Sequence, residues 1–459
     1  MHRIIAPALA LLLTVTAATA EVPRTSAQLS LSFAPVVRQA APAVVNIYAR
    51  TLVDGAGNPF AGSPFEELMR GMGRVVPRVK NALGSGVILT PDGLVVTNYH
   101  VAGGADAIKV VLSDRREFSA EVVISDKRID LVLLRLEGAG DLPTIPLAPR
   151  ASLSVGDLVL AIGNPYGIGQ TVSSGIVSAL ARTGLAVGDR DGFFIQTDAP
   201  INPGNSGGAL VDIEGRLVAI NTAIFSRSGG SNGIGFAIPV ALVRQFLLQA
   251  QAGAARFRRP WGGITAQPVD ADLAASLGLD RPQGVLINAF GPASPFREAG
   301  LSVGDLVLSV GGEEVNTPQG LLFQMEAAGI GSALELTYLS DGERHSGHLQ
   351  VVAAPETPPR SPVTIPQGRP FAGLSAEQIN PAVIEEMGGL PINAEGVVVR
   401  ETGLLGRRIG LEPGDIIRRV NGRAITTTAD LARAAGQRVA RWEVVYERGG
   451  ERRAVRFRL

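Results

Sequence analysis

The sequence predicts a mostly β protein of several modules, two closed antiparallel β-barrels followed by two smaller β modules. Three observations carry that expectation. A chain of 459 residues is too long for one hydrophobic core. Its 56 glycines and 30 prolines, with few helical heptads, suit turn-rich β domains. From Gly84 to Pro239 short alternating runs are punctuated by turn signals, the pattern of closed antiparallel barrels, and a further pattern repeats in the C-terminal part.

The elements follow in order. Met1-His2-Arg3 is a short basic segment, Ile4 to Val15 an apolar run, and Ala18-Thr19-Ala20 a small-residue cleavage site. Together they predict a signal peptide over residues 1–20 and a mature chain beginning near Glu21. About a dozen apolar residues fall short of the roughly 20 that span a bilayer, so export to the periplasm is expected and not anchoring. With no cysteine, stability there has to come from packing. A first domain is expected over residues 21–255. It opens with a short amphipathic entry from Leu31 and a strand over Ala43 to Tyr48, then a long loop over 51–80, where Gly, Pro, Phe and charges mix without a period. It closes on a helix opened by Pro239, with Leu242, Val243, Phe246, Leu247 and Ala250 at spacings of three and four.

The internal repeat defines the C-terminal part. Gly300-Leu301-Ser302-Val303-Gly304-Asp305 and its following apolar run match Gly410-Leu411-Glu412-Pro413-Gly414-Asp415 and its run. Two modules are therefore expected, over 256–352 and 371–459. Residues 353–370 contain six prolines, from Pro355 to Pro370, and predict an extended, semi-rigid linker.

The chemistry lies in the first domain. Ser206 sits in Gly204-Asn205-Ser206-Gly207-Gly208, Thr97-Asn98-Tyr99 leads into His100, and Asp130 precedes the run Leu131 to Leu136. A serine hydroxyl is a poor nucleophile unless a histidine takes its proton and a carboxylate holds the imidazole in the right tautomer. Each motif alone has an ordinary reading, as a glycine-rich loop, a structural histidine or a turn aspartate. Their conjunction, in the order His, Asp, Ser of the chymotrypsin-like proteases, points to a serine endopeptidase. The N–H groups of Gly204 and Ser206, with the Asn205 amide between them, are expected to form the oxyanion hole.

Thr97-Asn98-Tyr99-His100-Val101, Asp130-Leu131-Val132-Leu133-Leu134, Gly163-Asn164-Pro165, Gln196-Thr197-Asp198-Ala199, Asn202 to Gly208 and Gly233 to Pro239 together resemble the HtrA/Deg (Do-type) periplasmic proteases, from about Leu31 to the C-terminus. The repeated Gly-Leu-x-x-Gly-Asp turn is similarly that of PDZ domains. The resemblance implies a chymotrypsin-like double-barrel protease domain, the 51–80 segment as its regulatory loop, and two PDZ domains. It implies degradation of misfolded envelope proteins, an accompanying chaperone activity, and trimers or larger multiples of trimers. A peptide-binding scaffold, or a holding chaperone with proteolysis secondary, is the alternative. By the same resemblance Ile201 and the strand Asn221-Thr222-Ala223-Ile224 border a small apolar S1 pocket suited to Val, Ala or Ile. Pro200 stands six residues before Ser206, where trypsin-like enzymes place a selecting carboxylate. Arg182 is placed in a regulatory loop that senses a PDZ domain or a neighbouring subunit.

PDZ domains bind C-terminal peptides by strand addition, with backbone N–H groups capturing the carboxylate. The expected capture segments are Trp261-Gly262-Gly263-Ile264 in the first module and Phe371-Ala372-Gly373-Leu374 in the second. His345 and His348, three apart in a strand, face opposite sides and make poor metal ligands, so no metal or cofactor is expected. The 42 basic and 42 acidic side chains balance, and nothing points to nucleic acid.

Overall fold

The computed structural model describes residues 32–53, 78–149, 153–164, 169–182, 193–202, 204–224, 232–437 and 439–459. Residues 52, 53, 78–80, 181, 182, 223 and 224 are described in backbone alone. The expected signal peptide and most of the 51–80 loop lie outside the described residues.

Helix α1 (Ala34–Ala40) leads into β1 (Val44–Val53). With β2 (Arg78–Ile88), β3 (Leu94–Asn98), β4 (Ala107–Val111), β5 (Glu117–Asp126) and β6 (Leu131–Leu136), β1 closes a barrel in the order β1-β2-β3-β6-β5-β4. The short helix α2 (Tyr99–Ala102) follows β3 directly. The expected loop is shortened at both ends. Residues 51–53 and 78–80 extend β1 and β2, which pair out to Val53 opposite Arg78. Thr51-Leu52-Val53 is too short a run to show a strand by its own pattern, and it becomes strand through the partner across the hairpin.

The second barrel comprises β7 (Leu158–Gly163), β8 (Thr171–Arg182), β9 (Phe194–Thr197), β10 (Ala209–Val211), β11 (Leu217–Ile224) and β12 (Gly235–Pro239), closed in the order β10-β11-β12-β9-β8-β7. Helix α3 (Val240–Gln251) starts from Pro239 and buries Leu242, Val243 and Phe246. One continuous apolar cluster joins both barrels and this helix. Full burial of each Val, Leu or Ile contributes about 1.5–3 kcal/mol, so the alternating pattern is what holds the barrels closed without disulfides.

Two smaller sheets follow. The first is built from β13 (Ile264–Pro268), α4 (Ala271–Ser276), β14 (Val285–Phe290), α5 (Pro295–Glu298), β15 (Leu306–Val310), β16 (Glu313–Glu314), α6 (Pro318–Ala328), β17 (Ala333–Ser340) and β18 (Glu343–Gln350). The second repeats that succession with β19 (Val363–Thr364), β20 (Leu374–Gln378), α7 (Pro381–Met387), β21 (Val397–Thr402), α8 (Gly403–Arg408), β22 (Ile416–Val420), β23 (Arg423–Ala424), α9 (Thr428–Ala434), β24 (Arg441–Arg448) and β25 (Glu451–Arg458). The sequence repeat is one turn used twice. Asp305 accepts the Ser302 N–H and Asp415 the Glu412 N–H, both at 2.8 Å, and Gly304 and Gly414 both have φ of 98°, a backbone only glycine adopts freely.

The proline-rich stretch departs from its expected role as a spacer. Val363 and Thr364 pair with Ala376 and Ser375 of β20, so this stretch supplies an edge strand of the second sheet. Its prolines leave Val363, Thr364 and Ile365 with N–H groups free to enter a ladder. Contacts also tie the sheets to the barrels: Phe193 stacks on Phe323 of α6 at 3.7 Å, and buried Arg259 meets Asp126 of β5 and, at 3.4 Å, Glu326 of α6.

Candidate active site

The cleft between the barrels collects the three expected residues from three chain positions. His100 lies on α2, immediately after β3, and Asp130 immediately before β6; β3 and β6 pair side by side, with Asn98 opposite Leu131. That register brings the two together. His100 Nδ1 is 2.8 Å from Asp130 Oδ2, and the His100 backbone N–H donates to Oδ1 at 2.9 Å. Asp130 has φ of 58° and is 1 % exposed. Its backbone carbonyl accepts the Tyr99 N–H and the Asn98 side-chain amide, each at 3.0 Å, which fixes this left-handed residue in place. A buried carboxylate in that setting needs donors on both oxygens, and it has them.

Thr222 supplies the further donor, its Oγ1 reaching Asp130 Oδ2 at 2.6 Å across the barrel interface. Its backbone carbonyl accepts the Ser206 hydroxyl, so Thr222 stays beside the serine while its side chain serves Asp130. Asn221 serves the serine loop. It is fully buried, its carbonyl accepts the Gly207 N–H at 2.8 Å and its N–H donates to the Gly208 carbonyl, so it is a strut under the serine loop. Neighbouring side chains face opposite sides of a strand, and the sequence does not show which groups each side chain meets. Ile201 is 1 % exposed and packs beside Gly235, which pairs with Ile224. The side chains of Ala223 and Ile224 lie outside the described residues.

Ser206 precedes β10 in the second barrel. Its Oγ donates to the Thr222 carbonyl at 3.1 Å, and among the described residues it makes no hydrogen bond to His100. The N–H groups of Gly204 and Ser206 have no hydrogen-bond partner among the described residues, as an oxyanion hole requires. Asn205 does not join them: its N–H donates to the Asn202 carbonyl at 2.9 Å, and its side chain is buried against Gly163. Gly207 has φ of 83°, and a Cβ there would lie 2.1 Å from the Ser85 carbonyl oxygen, so the turn behind the serine admits only glycine.

Arg182 ends β8, its backbone opposite Phe194; its side chain and the residues from 183 to 192 lie outside the described residues. His345 and His348 lie on β18, with the His345 ring stacked on Tyr338 at 5.4 Å. No cluster of three or more metal-ligating side chains occurs among the described residues.

The two expected capture segments differ. In the first module β13 pairs with β14 alone, which leaves its outer edge open among the described residues, and the N–H groups of Gly262 and Gly263 have no partner there. Leu322 of α6 stands over Gly262, giving the edge an apolar wall. Trp261 is 2 % exposed, donates through Nε1 to the Pro292 carbonyl, and packs with Ile379, Val383 and Ile416 of the second module; it joins the two modules and does not line the edge. In the second module the chain occupies its own edge. Ile365 donates its N–H to the Leu374 carbonyl at 2.8 Å, accepts the Gly373 N–H at 2.9 Å, and buries its side chain in one cluster with Phe371, Leu374 and Leu431. The Ala372 and Leu374 N–H groups go to the Arg369 and Phe371 carbonyls. Ala372, Gly373 and Leu374 therefore present no free amide for a peptide carboxylate, and the Phe371 side chain is buried in the core of the module. The short, irregular strand at 363–364 inside a proline-rich stretch carries no sequence signal, so only tertiary pairing discloses it.

Two barrels with a buried carboxylate on the imidazole and a glycine-flanked serine define the class of chymotrypsin-like serine endopeptidases. Residues 84–220 match the family described as trypsin-like peptidase domain, and residues 262–351 match the PDZ domain. A probable periplasmic serine endoprotease DegP-like from Pseudomonas savastanoi pv. phaseolicola is 38% identical over 427 residues, which cover 88% of each chain. The periplasmic serine endoprotease DegP of Escherichia coli is 36% identical over 433 residues, covering 89% of this chain and 88% of that one. Among solved structures, the HtrA-type protease AlgW with tripeptide aligns with a TM-score of 0.53 at 37% identity, over 72% of this chain and 99% of that one. The chain belongs to the DegP-like, HtrA-type family of serine endoproteases.

Proposed function

We propose that the protein is a periplasmic serine endopeptidase that degrades misfolded envelope proteins through Ser206, His100 and Asp130, and that its first PDZ module captures C-terminal peptides. The observation that carries this reading is the 2.8 Å contact of His100 Nδ1 with a buried Asp130 beside the glycine-flanked Ser206. Asp130 accepts a hydrogen bond from Nδ1–H, which keeps the proton on Nδ1 and leaves Nε2 free as the base. Ser206 turns its hydroxyl from the Thr222 carbonyl to Nε2, gives up its proton to it, and attacks the scissile carbonyl through Oγ to form a tetrahedral intermediate, which becomes the acyl-enzyme when the amine leaves. The Gly204 and Ser206 N–H groups stabilise the oxyanion of each tetrahedral intermediate. Protonated His100 then delivers its proton to the leaving amine, and water repeats the sequence to free the acyl group.

Ile201, with Ala223 and Ile224, forms an apolar S1 pocket that takes Val, Ala or Ile. Arg182 belongs to a loop that relays occupancy of the first module to the serine loop. The working assembly is a trimer or a multiple of trimers, with chaperone activity alongside proteolysis, as the sequence resemblance implies. Digestion of unfolded casein by wild type and by Ser206→Ala is the test. Cleavage by wild type alone supports the reading, and equal cleavage by both overturns it.

A further inference from the structure

Gly163 and Asn164, and the serine between two glycines, Gly84-Ser85-Gly86, have no part in the triad, yet Gly163 packs on Asn205 and Ser85 bonds the Gly204 carbonyl. Ser85 lies on β2 of the first barrel and is fully buried. Its N–H donates to the Ser206 carbonyl at 2.8 Å, and its Oγ donates to the Gly204 carbonyl at 2.7 Å. One residue thus holds the loop on both sides of Asn205. The same Oγ accepts the Asn164 N–H at 2.9 Å, which orients its single proton toward Gly204. Asn164 is fixed in turn, its side chain donating to Asn46 of β1 and accepting the Gly169 N–H at 2.9 Å. Ser85 itself is pinned by Thr97 Oγ1, which donates to its carbonyl at 2.7 Å.

We propose that Ser85, oriented by Asn164, is a positioning residue that holds the Gly204 and Ser206 N–H groups in register as the oxyanion hole. This rests on the reading of Ser206 as nucleophile. The physical reason is that peptide groups at a glycine turn rotate readily; the tied Gly204 and Ser206 carbonyls belong to the peptide planes that follow the two N–H groups, so neither residue can turn without breaking buried hydrogen bonds. The Ser85 N–H bond is backbone and survives any substitution; the hydroxyl bond does not.

The test compares Ser85→Ala with wild type and Ser206→Ala on a peptide anilide, together with inhibition by a peptide trifluoromethyl ketone, whose adduct carries an oxyanion, and by the matching product peptide. Loss of a full oxyanion donor costs roughly 100- to 1000-fold in kcat, so loss of its positioning bond is expected to cost about 10- to 100-fold. Trifluoromethyl ketone affinity should fall in parallel, while KM and product-peptide affinity stay within about twofold, because only the charged state uses the hole. A kcat within about twofold of wild type, or a fall confined to KM, overturns the proposal. So does a kcat loss with unchanged ketone affinity. Should Ser85→Ala fail to fold, Ser85→Thr and Ser85→Val, equal in shape and differing in the hydroxyl, replace it: higher kcat for Thr supports the proposal and equal kcat overturns it. Activity retained in Ser206→Ala would instead remove the underlying reading.

Discussion

Thr222→Val removes one hydroxyl from the site and almost nothing else. Valine keeps the shape and β-branching of threonine, so β11 and its pairing should persist. The lost interaction is the 2.6 Å hydrogen bond from Oγ1 to Asp130 Oδ2, made to a carboxylate that is 1 % exposed and has no water to replace the donor. Hydrogen bonds to charged groups contribute about 1.5–3 kcal/mol. At 1.36 kcal/mol for each factor of ten, that corresponds to roughly a 10- to 100-fold loss in kcat/KM, because Asp130 Oδ2 loses one of its donors and holds the imidazole less firmly. The bonds from the His100 N–H and Nδ1 remain, so the loss should stay well short of that in Ser206→Ala. Steady-state hydrolysis of a peptide anilide, with thermal unfolding as a control for folding, measures it. Thr222→Ser should recover most of the activity. A Thr222→Val enzyme within twofold of wild type, or a serine variant as poor as the valine one, would refute the reasoning.

Four further outcomes are expected. Ser206→Ala should lose at least about a thousandfold in peptide hydrolysis while folding normally, and His100→Ala nearly as much, whereas His345→Ala and His348→Ala should be mild in the same assay. Cleavage sites mapped by mass spectrometry on an unfolded protein should be enriched after Val, Ala and Ile; a majority after Lys or Arg would contradict the pocket around Ile201. Titration calorimetry with a peptide ending in a free apolar residue should give one site per chain, at the first module, since Ile365 fills the edge of the second; two equivalent sites, or equal binding of the C-terminal amide, would contradict this. Burial pushes Glu326 up to about 7 against the opposing pull of Arg259, with Glu385, Arg128 and Asp126 also facing it. A carboxyl raised in this way stabilises the contact of α6 with the barrels while protonated, and that stability is lost as pH rises through about 7. Relative to Glu326→Gln, the wild-type melting temperature should therefore fall between about pH 5 and pH 8, and a constant difference between the two would contradict the assignment.

The sequence by itself determined the fold class and picked out the candidate triad. Alternation with turn signals dictates barrels because side chains on a strand face two sides in turn, and His100, Asp130 and Ser206 stand out because their chemistry needs particular residue types beside glycine and turn residues. The repeated Gly-Leu-x-x-Gly-Asp turn was legible for the same local reason, a backbone conformation that few residues adopt. What the sequence could not determine was which polar groups meet across elements. Thr222 and Asn221 sit in the strand expected to border the pocket, yet one serves Asp130 and the other the serine loop; Asn205 spends its N–H on its own loop. Ser85 comes within reach of Gly204, more than a hundred residues away, only when two barrels close against each other. Ile365 fills a sheet edge because folding places a short segment of the proline-rich stretch beside β20. Strand and turn propensities are encoded by neighbours in the chain, whereas a hydrogen bond between distant segments depends on register and closure, which the tertiary structure alone sets.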